Sequence, residues 1–201
     1  MVWLILSVLL WGLFHSTLAS HDAKSLAERL FGARERRYYR LAYNLFACLS
    51  FLPVLVIAYL TPDRILYQVA LPWSVLMILG MLLALVALVV GFKQTGAWAF
   101  LGLRQLIESE SARPATTRLT TTGLYRSVRH PLYTAGIVFI WLMPLMTVNV
   151  LAINLALTIY VIVGAHFEER KLLREFGAEF AAYQATTPMF IPGLRLRRNK
   201  K

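Results

Sequence analysis

The chain has 201 residues, with 21 Lys and Arg against 10 Asp and Glu, a formal net charge of +11 and one cysteine, Cys48. Residues 1–21, 41–62, 65–92 and 130–167 contain no Asp, Glu, Lys or Arg, so every charge falls in the 92 residues outside them. Water-soluble helices need a charged face, so this pattern excludes a soluble enzyme; the composition also excludes a disulfide-stapled scaffold and a disordered chain.

A segment that crosses the ~30 Å hydrocarbon core takes about 20 apolar residues. The first run predicts a span over Val2–Ala19, and it reads as a retained span rather than a signal peptide because no Lys precedes Lys24. The second predicts a span over Leu41–Leu60, with Pro53 as a kink that neighbouring helices can accommodate. The third covers Pro72–Phe92, with Pro72 near the first turn, where its missing N–H does little harm. The fourth run, at 38 residues, is too long for one span, and Met143-Pro144 and Thr147-Val148-Asn149 interrupt it. It predicts a hairpin of two short spans, Leu132–Met146 and Val150–His166, joined by an uncharged turn. The expected fold is an all-α polytopic membrane bundle of five transmembrane helices, the last two a helical hairpin, followed by a cytoplasmic C-terminal helical segment. One membrane domain is expected over 1–201. Within it, 1–107 holds three spans with interfacial segments, and 108–201 holds a loop, the hairpin and the tail.

Charge orients the bundle. The successive segments outside the spans carry 6, 1, 6, 0 and 8 Lys and Arg, an alternation that suits five spans. The positive-inside rule then places the N-terminus outside and the C-terminus in the cytoplasm. The same reading removes nucleic acid as a partner, because the excess cation is topological. Anionic headgroups of the bilayer suit Lys24–Arg40, an amphipathic stretch with Leu26, Leu30, Tyr38 and Tyr39. The Thr-rich stretch Glu108–Thr122 reads as a cytoplasmic loop.

Two polar segments flank the 38-residue run. Thr122–Tyr133 packs Tyr125, Arg126, Arg129, His130 and Tyr133 across its start, and Phe167–Gly177 carries Glu168-Glu169 immediately after its end. If the run is a hairpin, both segments return to one face of the membrane. Singly, Arg126 and Arg129 read as ordinary membrane anchors and Tyr133 as an interfacial aromatic. Glu168 and Glu169 read either as a solvated helix start or as functional carboxylates whose partners are Arg126, Arg129 and His130.

The run GLYRSVRHPLY, a hairpin, then EERKLLREFGAEFAAYQATTPMFIP resembles the isoprenylcysteine carboxyl methyltransferase and phospholipid methyltransferase superfamily over Ala115–Pro192. Shorter features resemble its methanethiol S-methyltransferase and NnrU-like branches: Trp11-Gly12-Leu13-Phe14-His15-Ser16, Gly102-Leu103-Arg104-Gln105 and Pro144-Leu145-Met146-Thr147. The resemblance implies an integral-membrane methyltransferase that uses S-adenosyl-L-methionine, with residues 108–201 as its cofactor-binding core.

On that resemblance, Tyr125, His130, Pro131 and Tyr133 would line the cofactor from one side. Glu168 and Glu169 would approach from the other, and Phe180, Tyr183 and Phe190 offer an aromatic wall. Glu169 or His130 would take a proton from a thiol or amine acceptor, and Arg104 or Arg129 would hold an anionic one. His15 with Ser16, and Gln105, are candidate acceptor contacts, although a His deep in an apolar helix is more often a packing residue. No metal is expected. The acceptor implied is a small hydrophobic thiol or a lipid-linked group such as an isoprenylcysteine carboxylate. A phospholipid amine and a non-catalytic membrane accessory role are the alternatives.

Overall fold

The computed structural model of the chain describes residues 2–32, 35–96, 103 and 118–194. Arg104 and Gln105, expected to contact the acceptor, lie outside the described residues, as does most of the Thr-rich loop. In chain order the elements are α1 (Val2–Ala19), α2 (His21–Phe31), α3 (Glu35–Leu60), β1 (Ile65–Gln68), α4 (Trp73–Gln94), a 3-10 turn (Gly123–Arg126), α5 (Pro131–Trp141), β2 (Leu145–Thr147), α6 (Val148–Phe176) and α7 (Ala178–Thr186).

Among the described residues, four of the seven helices are long and apolar enough to cross a membrane: α1, the Tyr38–Leu60 part of α3, α4 and α6. The first three match the spans expected from the charge-free runs. Pro53 lies inside α3, and Pro72 stands at the start of α4. Leu9, Leu49 and Leu83 turn outward from these helices, as side chains facing lipid do.

The hairpin differs from expectation in three respects. Its first arm, α5, has 11 residues and ends at Trp141, about 17 Å of helix, well short of the hydrocarbon core. In place of the uncharged turn expected between Met146 and Val150, strand β2 ends at Thr147 and α6 begins directly at Val148. β2 pairs antiparallel with β1, Ile65 opposite Thr147, Tyr67 opposite Met146 and Gln68 opposite Leu145, with a bulge between Ile65 and Tyr67. An extended segment among apolar spans must find partners for its backbone groups, so the fold is mostly helical with a small ribbon rather than all-α. Finally, the second arm does not stop at His166. α6 continues unbroken to Phe176, so its polar end belongs to the same helix as its apolar part.

The chain divides into two compact units. One holds α1–α3, the ribbon and α6 as far as Tyr160; the other holds α4, the 3-10 turn, α5, α6 from Val161 onward and α7. The core of the first is Leu4, Val8 and Val54, packed by Phe51, Ile153 and Leu157. Asn149 locks the start of α6 there. Its side-chain amide donates to the carbonyls of Ala58 (3.1 Å) and Thr61 (3.0 Å), capping the end of α3, while its backbone N–H donates to Asp63 Oδ1 at 3.0 Å. In the second unit α4 packs on α5, where Gly80 and Gly91 leave room for the side chains of Leu142 and Leu132.

Candidate active site

Pro131 opens α5 at a position that needs no backbone donor. Just before it, the chain is sewn to the segment after α7: the Arg129 N–H donates to the Pro188 carbonyl at 2.9 Å, and the His130 N–H to the Met189 carbonyl at 3.1 Å. Thr134 Oγ1 donates to the Phe190 carbonyl at 2.9 Å. The 3-10 turn ahead of it is held by Gln94, whose side-chain oxygen accepts from the Leu124 N–H at 3.0 Å. Gly123 is required there: its φ is +62°, and a Cβ would sit 2.1 Å from the Gln94 amide nitrogen. Tyr183 donates its hydroxyl to the Tyr125 carbonyl, tying α7 to the same turn.

These tethers bring Arg129 and His130 onto the polar end of α6. Arg129 Nε donates to Glu169 Oε1 at 2.6 Å, and its Nη1 donates to the carbonyls of Gln184 (3.3 Å) and Thr187. His130 Nε2 faces the same carboxylate oxygen at 3.3 Å, which assigns the ring hydrogen to that nitrogen. Gln184 Nε2 donates to Glu169 Oε2 at 2.8 Å. Both Glu169 oxygens are therefore engaged, and the side chains of Arg129, Glu169 and His130 are only 11, 11 and 6 % exposed.

Glu169 lies beyond the charge-free stretch, which ends at Phe167. Burial alone would push its carboxyl up, but the hydrogen bonds and charges of His130 and Arg129 outweigh this and hold it down to about 2. Tyr183, in contrast, is pushed up to about 12, first by burial, so its hydroxyl stays a neutral donor.

Successive residues on a helix point about 100° apart, and Glu168 accordingly faces a different environment. Its side chain is 45 % exposed. Tyr133 donates to Glu168 Oε2 at 2.9 Å, and His130 Nδ1 stands 3.8 Å from the same oxygen. The rings of His130 and Tyr133 stack with centroids 5.3 Å apart and planes 6° apart, and Phe190 closes on His130 at 5.7 Å. The arrangement is a buried ionic scaffold with one accessible carboxylate and an aromatic stack beside it.

The residues singled out in the sequence divide accordingly. Arg129, His130, Tyr133, Glu168 and Glu169 meet. Pro131 is buried beneath them, and Tyr125 and Tyr183 join through backbone and hydroxyl. Phe180 is buried edge-on to Tyr183. Arg126 is exposed and takes no part in this ion pairing. His15 belongs to the other unit, where it meets Tyr43 and Tyr160, whose hydroxyl also reaches Ser16. Gln184 went unrecognised. Its signal was indirect: a buried carboxylate has two oxygens to satisfy, and Arg129 and His130 serve one of them.

The chain is similar over part of its length to proteins that bear one name. It is 36 % identical over 95 residues to methanethiol S-methyltransferase of Pseudomonas deceptionensis, a match covering 47 % of this chain and 36 % of that protein. Methanethiol S-methyltransferase 2 of Bradyrhizobium diazoefficiens is 39 % identical over 98 residues, 48 % of this chain and 38 % of its own. The methanethiol S-methyltransferase of Mycobacterium tuberculosis is 35 % identical over 92 residues, 45 % of this chain and 38 % of its own. The matched segment thus spans little more than a third of these relatives. No solved structure matches the chain. The profile of the family described as "Protein of unknown function (DUF1295)" matches residues 2–187, nearly the whole chain, and the protein therefore belongs to the DUF1295 family.

Proposed function

We propose that the protein is an integral-membrane methyltransferase that uses S-adenosyl-L-methionine to methylate a small thiol. The observation that carries this reading is the split between the two adjacent carboxylates: Glu169 is consumed by the Arg129–His130–Gln184 scaffold, while Glu168 is left accessible beside the His130–Tyr133 stack. The partial identity to methanethiol S-methyltransferases supports the choice of a thiol.

The residues present fit the cofactor. Glu168 has an exposed carboxylate that can accept from ribose hydroxyls or an ammonium group. Tyr133 and Phe190, packed on the buried His130 ring, supply flat faces for the adenine. When bound, the sulfonium supplies a methyl group already activated toward attack. The protein's share is alignment at near-attack distance and exclusion of water. Arg129 and Glu169 fix the 129–130 segment to α6 and so set the distance between Tyr133 and Glu168. Glu169, held as a carboxylate with both oxygens engaged, is a positioning residue and not the base. His130 donates to Glu169 and orients the Tyr133 ring.

In the membrane, the Lys and Arg tally favours an outside N-terminus and a cytoplasmic C-terminus, which would place Glu168 where S-adenosylmethionine is made. On this reading α5 is a fifth, short membrane-embedded arm, thinning the bilayer or sunk in a polar surround. The test is transfer of a radiolabelled methyl group from S-adenosylmethionine to methanethiol by the purified protein. A prenylcysteine and phosphatidylethanolamine serve as competing acceptors. Labelled dimethyl sulfide is the expected product; methylation of either competitor but not of the thiol would overturn the assignment.

A further inference from the structure

One side of α2, in the first unit, is apolar and uncovered. Ser20 alone separates this helix from α1. Its backbone is extended (φ −66°, ψ 159°), so α2 sets off in a new direction one residue after α1 ends. The Ser20 side chain caps the new helix by accepting from the Ala23 N–H at 3.2 Å. At the other end Gly32, with φ +83°, stops it and donates its N–H to the Glu28 carbonyl at 2.9 Å. The 11 residues between are a helix in their own right, about 16 Å long.

The residues of α2 separate cleanly. With successive positions about 100° apart, Ala23, Leu26, Ala27, Leu30 and Phe31 fall within one arc of about 140°. Asp22, Lys24, Ser25, Glu28 and Arg29 occupy the remainder, with Glu28 opposite the line between Leu26 and Leu30. Although α2 touches both α1 and α3, Leu26, Leu30 and Phe31 are 55, 66 and 69 % exposed.

The neighbouring helices set the depth of α2. Tyr39 Oη donates to the Leu18 carbonyl at 2.7 Å, which holds the start of the α3 span beside the last turn of α1. The chain therefore leaves one apolar span and enters the next at the same level. The exposed ring of Tyr38 stands at that level, as aromatic residues do at a membrane boundary. The polar layer between hydrocarbon and water is roughly 5–8 Å thick. A helix of about 16 Å standing upright there would carry Leu30 and Phe31 through the layer into water. Lying flat, it keeps all three large side chains at the edge of the hydrocarbon that Leu13 and Phe14 of α1 already face.

We propose that α2 is an in-plane membrane anchor, lying in the lipid headgroup layer with Leu26, Leu30 and Phe31 sunk among the acyl chains. Ser25 and Glu28 then turn toward water. Lys24 and Arg29, on opposite flanks of the apolar arc, have stems long enough to bring their charges to the phosphates of glycerophospholipids. The occupant of the apolar arc is lipid because the arc begins within a turn of the end of α1 and continues its lipid-facing surface. The anchor fixes the depth of α1 and α3 in the bilayer and is independent of the methyl-transfer reading.

The test uses the full-length protein with its one cysteine replaced, Cys48→Ala, and one new cysteine from Leu26→Cys, Leu30→Cys or Glu28→Cys. Each variant is spin-labelled and placed in nanodiscs of phosphatidylcholine and phosphatidylglycerol. Electron paramagnetic resonance then reads collisions with oxygen, which concentrates among acyl chains, and with a nickel chelate, which stays in water. The ratio of oxygen to nickel collisions is expected to be at least threefold higher at the Leu26 and Leu30 sites than at the Glu28 site. Equal ratios at the three sites would place α2 in water and overturn the proposal. Labels at the Leu26 and Leu30 sites that neither reagent reaches would also overturn it, since a protein partner or a second copy would then cover the arc. If Leu26→Cys does not fold, Leu30→Cys against Glu28→Cys carries the test.

Discussion

Arg129 Nε and Glu169 Oε1 stand 2.6 Å apart, although 40 positions separate them in sequence, and both side chains are nearly nine-tenths buried. The pair is the knot of the second unit. It ties the residue two before α5 to the polar end of α6, and through Gln184 and Thr187 it ties both to α7. Glu168, the preceding residue, is outside the knot, so the two carboxylates respond differently to substitution.

Replacing Glu169 by Ala leaves the Arg129 guanidinium buried beside a lost partner, a change that costs about 3–5 kcal/mol in buried pairs. Glu168→Ala, at an exposed position, is expected to shift stability by no more than ~0.5 kcal/mol. Denaturant unfolding of the detergent-solubilised protein, followed by circular dichroism, compares the two; equal midpoints would show that the buried pair does not hold the unit together.

Glu169 also predicts an acid dependence. Its folded carboxyl is depressed to about 2 from an ordinary 4.5. A depressed carboxyl stabilises the fold fully above its unfolded value, and the contribution is lost as pH falls from about 4.5 toward 2. Melting temperature measured from pH 6 down to pH 3 is therefore expected to fall more steeply for the wild type than for Glu169→Gln. Parallel curves would contradict the assignment.

Gly123 tests the 3-10 turn. Its φ of +62° is one that L side chains rarely adopt, and a Cβ would displace the Gln94 side chain that holds the Leu124 N–H, so Gly123→Ala is expected to cost about 1–3 kcal/mol, the range for residues forced into this region. Gly123→Ala with Gln94→Ala removes the clash but not the backbone strain, so partial recovery of the unfolding midpoint is the expected result.

The charge-free runs made most of this fold legible, because lipid-facing helices leave their mark as long stretches without Asp, Glu, Lys or Arg. The C-terminal ends of α1, α3 and α4 fall within two residues of where those runs stop, although α3 starts six residues before its run and α4 eight residues into its own. The ribbon was not legible. Leu145–Thr147 carries no turn signal of its own and becomes a strand only because Ile65–Gln68 lies opposite. The length of α5 was hidden too, since its apolar composition continues past Trp141, where the helix ends. Within the site, the pairing of Arg129 and His130 with the Glu168-Glu169 dyad followed from chain geometry. Which carboxylate would be buried did not, because that depends on the rotation of α6 and on Gln184.

Tyr133 donates to Glu168 and stacks on His130, two contributions that Tyr133→Phe separates. Loss of one hydrogen bond of about 1 kcal/mol corresponds to roughly fivefold weaker S-adenosylhomocysteine binding. Tyr133→Ala, which also removes the ring, is expected to weaken it further. Equal affinities for wild type and Tyr133→Ala would place the cofactor elsewhere.

The central claim is that Glu168 and its neighbours hold S-adenosylmethionine. Calorimetric titration of S-adenosylmethionine into the purified wild type and into Glu168→Ala tests it directly. The account predicts saturable one-to-one binding by the wild type and at least tenfold weaker binding by a variant that unfolds at the same denaturant concentration. No binding by the wild type, or equal binding by both proteins, would contradict it.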